Sequence, residues 1–245
     1  MIKRTLLAAC LAWAACACTP APQAPAAPKS TAPASTQNAA PPTPLDPAAA
    51  DHAATMSQSE TWVLPGSLGP LTTRLQLETR FGKANVREET FPGAEGIGSY
   101  PALVVFPDDP RKRLELVLDA DNPDAPIREL RVSDARTVWR GKAGLRPGMR
   151  LAELVQLNAA PVSFYGLGWD YGGAVHDWHG GALANAVGAP VFRRVTLGSR
   201  PGLKTGDRLP QGDSVFRSDD GRWPTLGRDI VVEELGISWP SDADG

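Results

Sequence analysis

Short apolar runs between turn residues predict β-strands over much of the chain beyond its first hundred residues. Residues 102–106 and 113–118 flank a Pro-Asp-Asp-Pro turn, and we expect them to form a hairpin. Residues 214–221 are interpreted as a further turn. The other strand-like runs cover residues 127–132, 191–197, 230–232 and 237–239.

Two segments have the spacing of helices instead. Residues 72–81 place apolar side chains between polar ones and stop at Gly82, where helices commonly end. Residues 150–157 place three leucines and Val155 mostly at spacings of three and four, which is typical of an amphipathic helix. We therefore expect an α+β fold that is dominated by an antiparallel sheet and contains two short helices.

A similar frame precedes both predicted helices. Residues 67–71 lead into the first and residues 143–149 into the second, and about three strand-like runs follow each. One interpretation is a diverged internal duplication with halves at 59–134 and 137–245. Chance similarity is the competing interpretation, because only two copies are compared.

The N-terminus has the layout of an export signal. Lys3 and Arg4 precede an apolar run at residues 6–17, which ends in small residues. That run has about a dozen residues, whereas a membrane-spanning helix needs roughly 20. The segment is therefore predicted to be removed after export.

The small residues end on a cysteine, which resembles the lipobox of bacterial lipoproteins. The resemblance implies that Cys18, or alternatively Cys16, carries a diacylglyceryl group and becomes the mature N-terminus, so that residues 1–18 form a lipoprotein signal peptide. An ordinary cleaved signal peptide with incidental cysteines is the competing hypothesis. The residue after either cysteine is not Asp. In the sorting pattern of Gram-negative lipoproteins, this implies lipid anchoring to the outer membrane, facing the periplasm.

Composition divides the remaining chain into two parts. Residues 19–58 consist largely of Pro, Ala, Thr, Ser and Gln and are predicted to be a disordered tether, because they can bury almost nothing. Residues 59–245 contain no cysteine and are expected to form the globular region. The whole chain has 25 basic and 27 acidic residues. Nucleic acid is therefore not expected as a partner, because binding it requires clustered basic side chains.

A resemblance to a known family lies in residues 145–161. Their Gly-Met turn, Leu-rich helix and closing proline are similar to small bacterial lipoproteins of the SmpA/OmlA type. This implies helices packed on an antiparallel sheet and a role in protein binding. Arg150 replaces the Ser or Thr cap of that motif, and the closing segment is one residue longer and lacks its glycine. The Trp-Asp-Tyr-Gly-Gly run that follows also resembles uncharacterised bacterial lipoproteins.

Residues 164–179 carry the densest group of aromatic side chains. Rings beside carboxylates can form a groove for a sugar or a peptide, and the candidate ligand-binding residues are Trp169, Asp170, Tyr171 and Trp178. The alternative is a β-hairpin whose aromatic side chains fill the core and whose glycines form turns.

Metal binding and catalysis have weaker signals. His176 and His179 are the metal candidates, but a strand would point them to opposite faces, so we expect no metal or other cofactor. Asp170 and Asp177 could act as a glycosidase pair, although aspartates in glycine-rich turns more often accept backbone hydrogen bonds. The chain has no recognised nucleophile, metalloprotease or phosphate-loop motif, and no catalytic residue is assigned.

These observations together predict a lipid-anchored periplasmic lipoprotein. Its globular region is expected to be a non-enzymatic binding module for a cell-envelope protein. Two alternatives remain open, namely a hydrolase of envelope glycans or peptides, and a carbohydrate- or peptidoglycan-binding module that uses the aromatic side chains of residues 164–179.

We predict that mass spectrometry of the mature protein finds a diacylglyceryl group on an N-terminal Cys18. Cys18→Ala then removes this species, whereas Cys10→Ala leaves it unchanged, because Cys10 has too little apolar sequence ahead of it. Acylation of Cys16 would move the cleavage site by two residues, and an unacylated mature protein in the soluble fraction would refute the membrane anchor.

Overall fold

A computed structural model describes residues 62–93, 96–119, 121, 126–203 and 209–240. The predicted signal peptide, the candidate lipid-attachment residues Cys16 and Cys18, and the predicted tether lie outside these residues. The described residues belong to a single compact unit. Within this part of the chain, no helix has the length and apolar character needed to cross a bilayer.

The described residues contain three short α-helices, α1 at Arg74–Phe81, α2 at Leu151–Asn158 and α3 at Leu226–Asp229. The first two lie where helical spacing predicts them. Thr73 explains why α1 begins there, since its side chain accepts a hydrogen bond from the Gln76 backbone and Gln76 caps Thr73 in return. Helix α3 has four residues, which is too short to show a hydrophobic period.

Nine strands form two antiparallel sheets in the described residues. Six strands form the large sheet in the spatial order β1-β2-β3-β4-β9-β7, and the small sheet has the order β6-β5-β8. This arrangement confirms an α+β fold dominated by antiparallel sheet. The strands are β1 Val86–Pro92, β2 Ser99–Val105, β3 Leu114–Leu118, β4 Ile127–Val132, β5 Ser163–Tyr165, β6 Val175–Asp177, β7 Phe192–Ser199, β8 Val215–Arg217 and β9 Ile230–Ser238.

The predictions of the hairpin, of the strand-like runs at 230–232 and 237–239, and of the turn at residues 214–221 have different outcomes. Strands β2 and β3 pair with Val105 opposite Leu114, which confirms the hairpin. The runs at 230–232 and 237–239 form the single strand β9. The interpretation of residues 214–221 as a turn was wrong in its first part, because Val215–Arg217 pairs with β5 and only the residues after it turn. Three residues are too few for alternation to be visible.

The core lies on one face of the large sheet. Helix α1 packs against β1 and β2, and α2 packs against β9 and α3. Leu77 and Leu154 are fully buried there. Burial of one such side chain stabilises the fold by about 1.5–3 kcal/mol. Aromatic contacts extend the core at one end, where the ring of Trp139 meets that of Trp62 at 5.0 Å.

The opposite face of the large sheet carries a buried ion-pair network. Glu129 is 7% exposed and lies between two guanidinium groups, with Arg131 at 2.6 Å and Arg194 at 2.7 Å. Arg194 also binds Glu234 at 2.6 Å. Burial alone would lower the pKa of Arg194, but the charges of Glu129 and Glu234 raise it above its ordinary value. The carboxylates thus offset the cost of partly burying this guanidinium.

Gly236 of strand β9 makes room for this network. It lies opposite Arg131 on β4 and opposite Arg194 on β7. A Cβ atom at this position would collide with the Glu129 carboxylate and lie 3.2 Å from the Arg194 guanidinium. Because Gly236 has no side chain, Glu129 on β4 and Arg194 on β7 can form their ion pair across β9.

We predict that Gly236→Ala lowers the free energy of unfolding by about 1–3 kcal/mol, because the added methyl group overpacks the Glu129–Arg194 contact. Urea unfolding measures this change. The control is Gly221→Ala, since a Cβ there meets no atom within 4 Å, and it should stay within about 0.5 kcal/mol of the parent protein. Equal stability of the two variants would contradict the steric requirement.

Candidate functional site

The candidate site lies on one face of the small sheet, which we call the outer face. Phe164, in the middle of β5, is fully buried, so its neighbours Ser163 and Tyr165 point to the opposite side. Ser163 lies directly between Asp177 and Arg217, and Tyr165 lies opposite Val215. Directly opposed residues share a face. The outer face therefore has a polar row followed by an apolar row.

A register shift between β5 and β6 changes the alternation on β6. Phe164 pairs with Val175, whereas Ser163 pairs with Asp177, which leaves His176 as an extra residue between them. The His176 ring contacts the Tyr165 ring at 5.2 Å. Asp177, the next residue, meets His179. Consecutive residues of one strand thus contribute to both rows of the outer face.

Four rings linked in series by three ring contacts form what we call the aromatic cluster, consisting of His176, Tyr165, Trp169 and Tyr171. Trp169 contacts Tyr165 at 5.7 Å and Tyr171 at 5.3 Å between ring centroids. Trp169 is 36% exposed and Tyr171 is 63% exposed. The Trp169 indole N–H donates to the Gly166 carbonyl, which fixes the ring at the surface. The cluster therefore offers aromatic surface to solvent in a defined position.

Backbone packing holds the loop that carries Trp169 and Tyr171. The Gly173 N–H donates to the Tyr165 carbonyl at 3.0 Å, and the Gly173 carbonyl accepts from Leu197 of β7 at 2.8 Å. Gly173 has a φ of +77°, and a Cβ there would collide with the Leu197 carbonyl. Only glycine permits this approach, so the loop is tied to the large sheet at one point.

A polar cluster occupies the other row of the outer face and consists of Ser163, Asp177, His179, Arg217 and Asp219. The Ser163 hydroxyl lies 2.7 Å from Nε2 of His179. Nδ1 of the same ring lies 3.5 Å from an Asp177 carboxylate oxygen, and the backbone N–H of His179 donates to the other oxygen at 2.7 Å. These contacts place the imidazole of His179 between the Ser163 hydroxyl and the Asp177 carboxylate.

Arg217 closes the polar cluster on the β8 side. Its guanidinium donates two hydrogen bonds of 2.9 Å to Asp219. This pairing, with a further contribution from the charge of Asp177, raises the pKa of Arg217 above its ordinary value. Arg217 in turn lowers the pKa of Asp219. The permanently charged guanidinium of Arg217 therefore belongs to the residue directly opposite Ser163 on the neighbouring strand.

The structure separates the four predicted ligand-binding residues. Trp169 and Tyr171 belong to the aromatic cluster, and Asp170 is exposed in the turn between them. Trp178 is 8% exposed and packs in the core, so its ring offers no face to a ligand. Asn158 holds this segment in place, because its side-chain amide donates to the Trp178 carbonyl at 2.9 Å.

The predicted metal candidates have different neighbours. His176 packs against Tyr165, whereas His179 bonds to Ser163. Across the described ranges, no group of three or more His, Cys, Asp or Glu side chains could hold a metal ion. The carboxylates proposed as a glycosidase pair also differ, because Asp177 is engaged by His179 and Asp170 lies in the exposed aromatic turn.

Sequence reasoning did not identify Ser163 or Arg217 as site residues. Ser163 is 16 residues from His179 and 54 residues from Arg217 along the chain. The strand register alone brings them together, and no local motif indicates that register. Tyr165 belongs to the aromatic-rich segment but is not among the predicted ligand-binding residues, and His176 is predicted only as a metal candidate. Their ring contact depends on the same register shift, which the sequence does not indicate.

No family model, curated protein or solved structure matches the chain. The resemblance of residues 145–161 to SmpA/OmlA-type lipoproteins therefore rests on the sequence of that segment alone.

We predict that Gly173→Ala disturbs the aromatic loop more than Gly180→Ala does. Both glycines have a positive φ, but a Cβ at Gly180 meets no atom within 4 Å. Gly180→Ala should therefore show only the backbone strain of about 1–2 kcal/mol, whereas overpacking adds about 1–3 kcal/mol at Gly173.

Urea unfolding and hydrogen exchange at the amides of residues 172–174 measure this difference. Faster exchange in Gly173→Ala alone supports the anchoring role of the Gly173–Leu197 contact. Equal exchange in both variants would show that the loop does not depend on that contact.

Proposed function

We propose that the chain is a lipid-anchored lipoprotein of the outer membrane whose globular region faces the periplasm and binds a cell-envelope protein through the aromatic cluster. The observation that supports this proposal is the exposed, fixed arrangement of Trp169 and Tyr171. Exposed Trp and Tyr side chains dominate the binding energy of many protein interfaces because each buries a large apolar area at little entropic cost.

The loop geometry strengthens the case for binding. Gly173 is held by backbone hydrogen bonds to β5 and β7, so the rings are positioned before a partner arrives. Preorganisation of this kind reduces the ordering entropy that association otherwise costs. Val215, 47% exposed beside Tyr165, extends the apolar surface to the neighbouring strand. The contact surface thus includes two structural elements in addition to the loop.

Ring orientation favours a protein partner over a glycan. The Tyr165 and Trp169 planes meet at 89°, and the Trp169 and Tyr171 planes meet at 62°. Neighbouring rings therefore share no flat platform along which several sugar units could stack. Tyr171 alone, at 63% exposure, supports the second candidate function of a carbohydrate- or peptidoglycan-binding module.

The proposed location rests on the sequence. The short apolar leader, the cysteine that follows small residues, and the Pro- and Ala-rich segment after it together support a membrane anchor with a long tether. A tethered domain can meet envelope partners at a distance from the membrane. The near balance of acidic and basic residues gives no support for nucleic acid as a partner.

We predict that Tyr171→Ala and Trp169→Ala each weaken partner binding at least about tenfold, since loss of an interface anchor costs about 2 kcal/mol or more. The partner is first captured from envelopes by the full chain carrying a photo-crosslinking residue at position 215. Its affinity for the purified full chain is then measured by calorimetry.

Phe192→Ala is the matched control, because Phe192 is also exposed, at 52%, but belongs to the large sheet. Unchanged affinity in Trp169→Ala and Tyr171→Ala would contradict the proposed interface. Binding of purified peptidoglycan that is lost in Tyr171→Ala, with no protein captured, would favour the glycan-binding alternative.

A further inference from the structure

The polar cluster contains the arrangement used for nucleophilic catalysis by a serine. The Ser163 hydroxyl is 2.7 Å from His179 Nε2, within hydrogen-bond distance for proton transfer. One Asp177 carboxylate oxygen lies 3.5 Å from the opposite nitrogen, Nδ1, and the other accepts a hydrogen bond from the His179 backbone N–H. The three groups thus stand in the order of nucleophile, base and orienting carboxylate. Such an order is recognised from geometry and not from position in the sequence.

The surroundings of Ser163 fit a carbonyl substrate with an apolar group. Tyr165 lies two residues further along the same strand and face, about 7 Å away. Arg217 lies directly across from Ser163 on β8 and provides a fixed positive charge on the same face. Ser163 is only 4% exposed, so a bulky substrate could not bring its carbonyl carbon to the hydroxyl. Small, flexible esters are therefore the suitable class of substrate.

We propose that Ser163 is the nucleophile of an esterase centre on the outer face, which hydrolyses small carboxylic esters whose apolar or aromatic acyl group rests on Tyr165. This centre shares Tyr165 with the protein contact proposed above, but its reacting groups belong to the polar cluster and not to Trp169 or Tyr171. Loss of the protein contact would leave it intact.

The reaction has two balanced steps. The Ser163 oxygen bonds to the ester carbonyl carbon while its proton passes to Nε2 of His179. The bond to the alcohol oxygen then breaks, and His179 returns the proton to the departing alcohol. Water next attacks the acyl-serine through the same base, which releases the carboxylic acid and restores the serine hydroxyl.

Asp177 acts in this scheme as a positioning residue. It holds the imidazole with Nδ1 toward the carboxylate and Nε2 toward Ser163, and it stabilises the positive charge that develops on the ring. Arg217 faces the negative charge that develops on the carbonyl oxygen, as a cation near such a site stabilises the transition state. Both roles are filled by residues that the structure describes.

The same contacts also fix a turn, and the experiment must separate this role from catalysis. His179 has a φ of +49° and lies two residues after strand β6, so its bonds to Ser163 and Asp177 stabilise the turn at residues 178–181. A purely structural cluster would affect unfolding but would leave Ser163 inert toward electrophiles. Reactivity at Ser163 is therefore the decisive measurement.

The test treats the full chain with a reporter-tagged fluorophosphonate, which phosphonylates an activated serine and releases fluoride. We expect the label on the peptide that contains Ser163. Hydrolysis of p-nitrophenyl phenylacetate should fall about 10³-fold or more in Ser163→Ala and about 10²–10⁴-fold in His179→Ala. Asp177→Asn should lower kcat and leave KM nearly unchanged.

Ser214→Ala is the matched control, because Ser214 is an exposed serine next to β8 with no side-chain contact to His179 among the described residues. It should retain both labelling and hydrolysis. Ser163→Cys guards against a folding defect in Ser163→Ala, since the cysteine should be alkylated by iodoacetamide at that position in a protein with parent-like thermal unfolding. A folded parent protein that is unlabelled at Ser163, or hydrolysis that persists in Ser163→Ala, would overturn the proposal.

Discussion

The pairing of β9 with strands on both of its sides is the interaction on which the rest of the structure depends. β9 lies between β4 and β7 and thus joins β7 to strands β1 to β4. Its Val232 also exchanges backbone hydrogen bonds with the turn that begins α2, through Gly148 and Met149. An antiparallel sheet satisfies these backbone groups only when the central strand is in register. The register of β9 therefore positions both α2 and the edge strand β7.

The candidate site depends on this frame at two points. The Gly173–Leu197 hydrogen bond connects the aromatic loop to β7, which itself pairs with β9. Asn158, at the end of α2, is fully buried and binds the Trp178 carbonyl and the Leu183 N–H. Because a buried amide must be satisfied, these bonds fix the chain on both sides of His179. The outer face is thus held by the large sheet without being part of it.

Local signals explain what the sequence could predict. Thr73 and Gly82 mark the ends of α1, and apolar runs between turns mark β2 and β3. Strand β1 was not predicted because its charged residues interrupt the apolar pattern; Glu89, for example, lies on this edge strand and pairs with Arg113, the residue before β3. The polar cluster escaped for a different reason, since its members meet only through strand register. Trp178 was a ligand-binding candidate because it lies in the same aromatic-rich segment as Trp169, but the structure buries it, as the alternative of a hairpin with core aromatic side chains requires.

The extra residue in β6 has a consequence for how the outer face can vary. Because His176 and Asp177 are neighbours that serve different rows, the length of this three-residue strand couples the two rows. Deleting one residue would restore regular alternation and turn one of the two side chains toward the core. Insertions and deletions in β6 would therefore alter ring contact and imidazole orientation together, whereas point substitutions could change either one alone. The side chains of the two rows of the outer face can therefore vary independently, whereas the spacing of the two rows cannot.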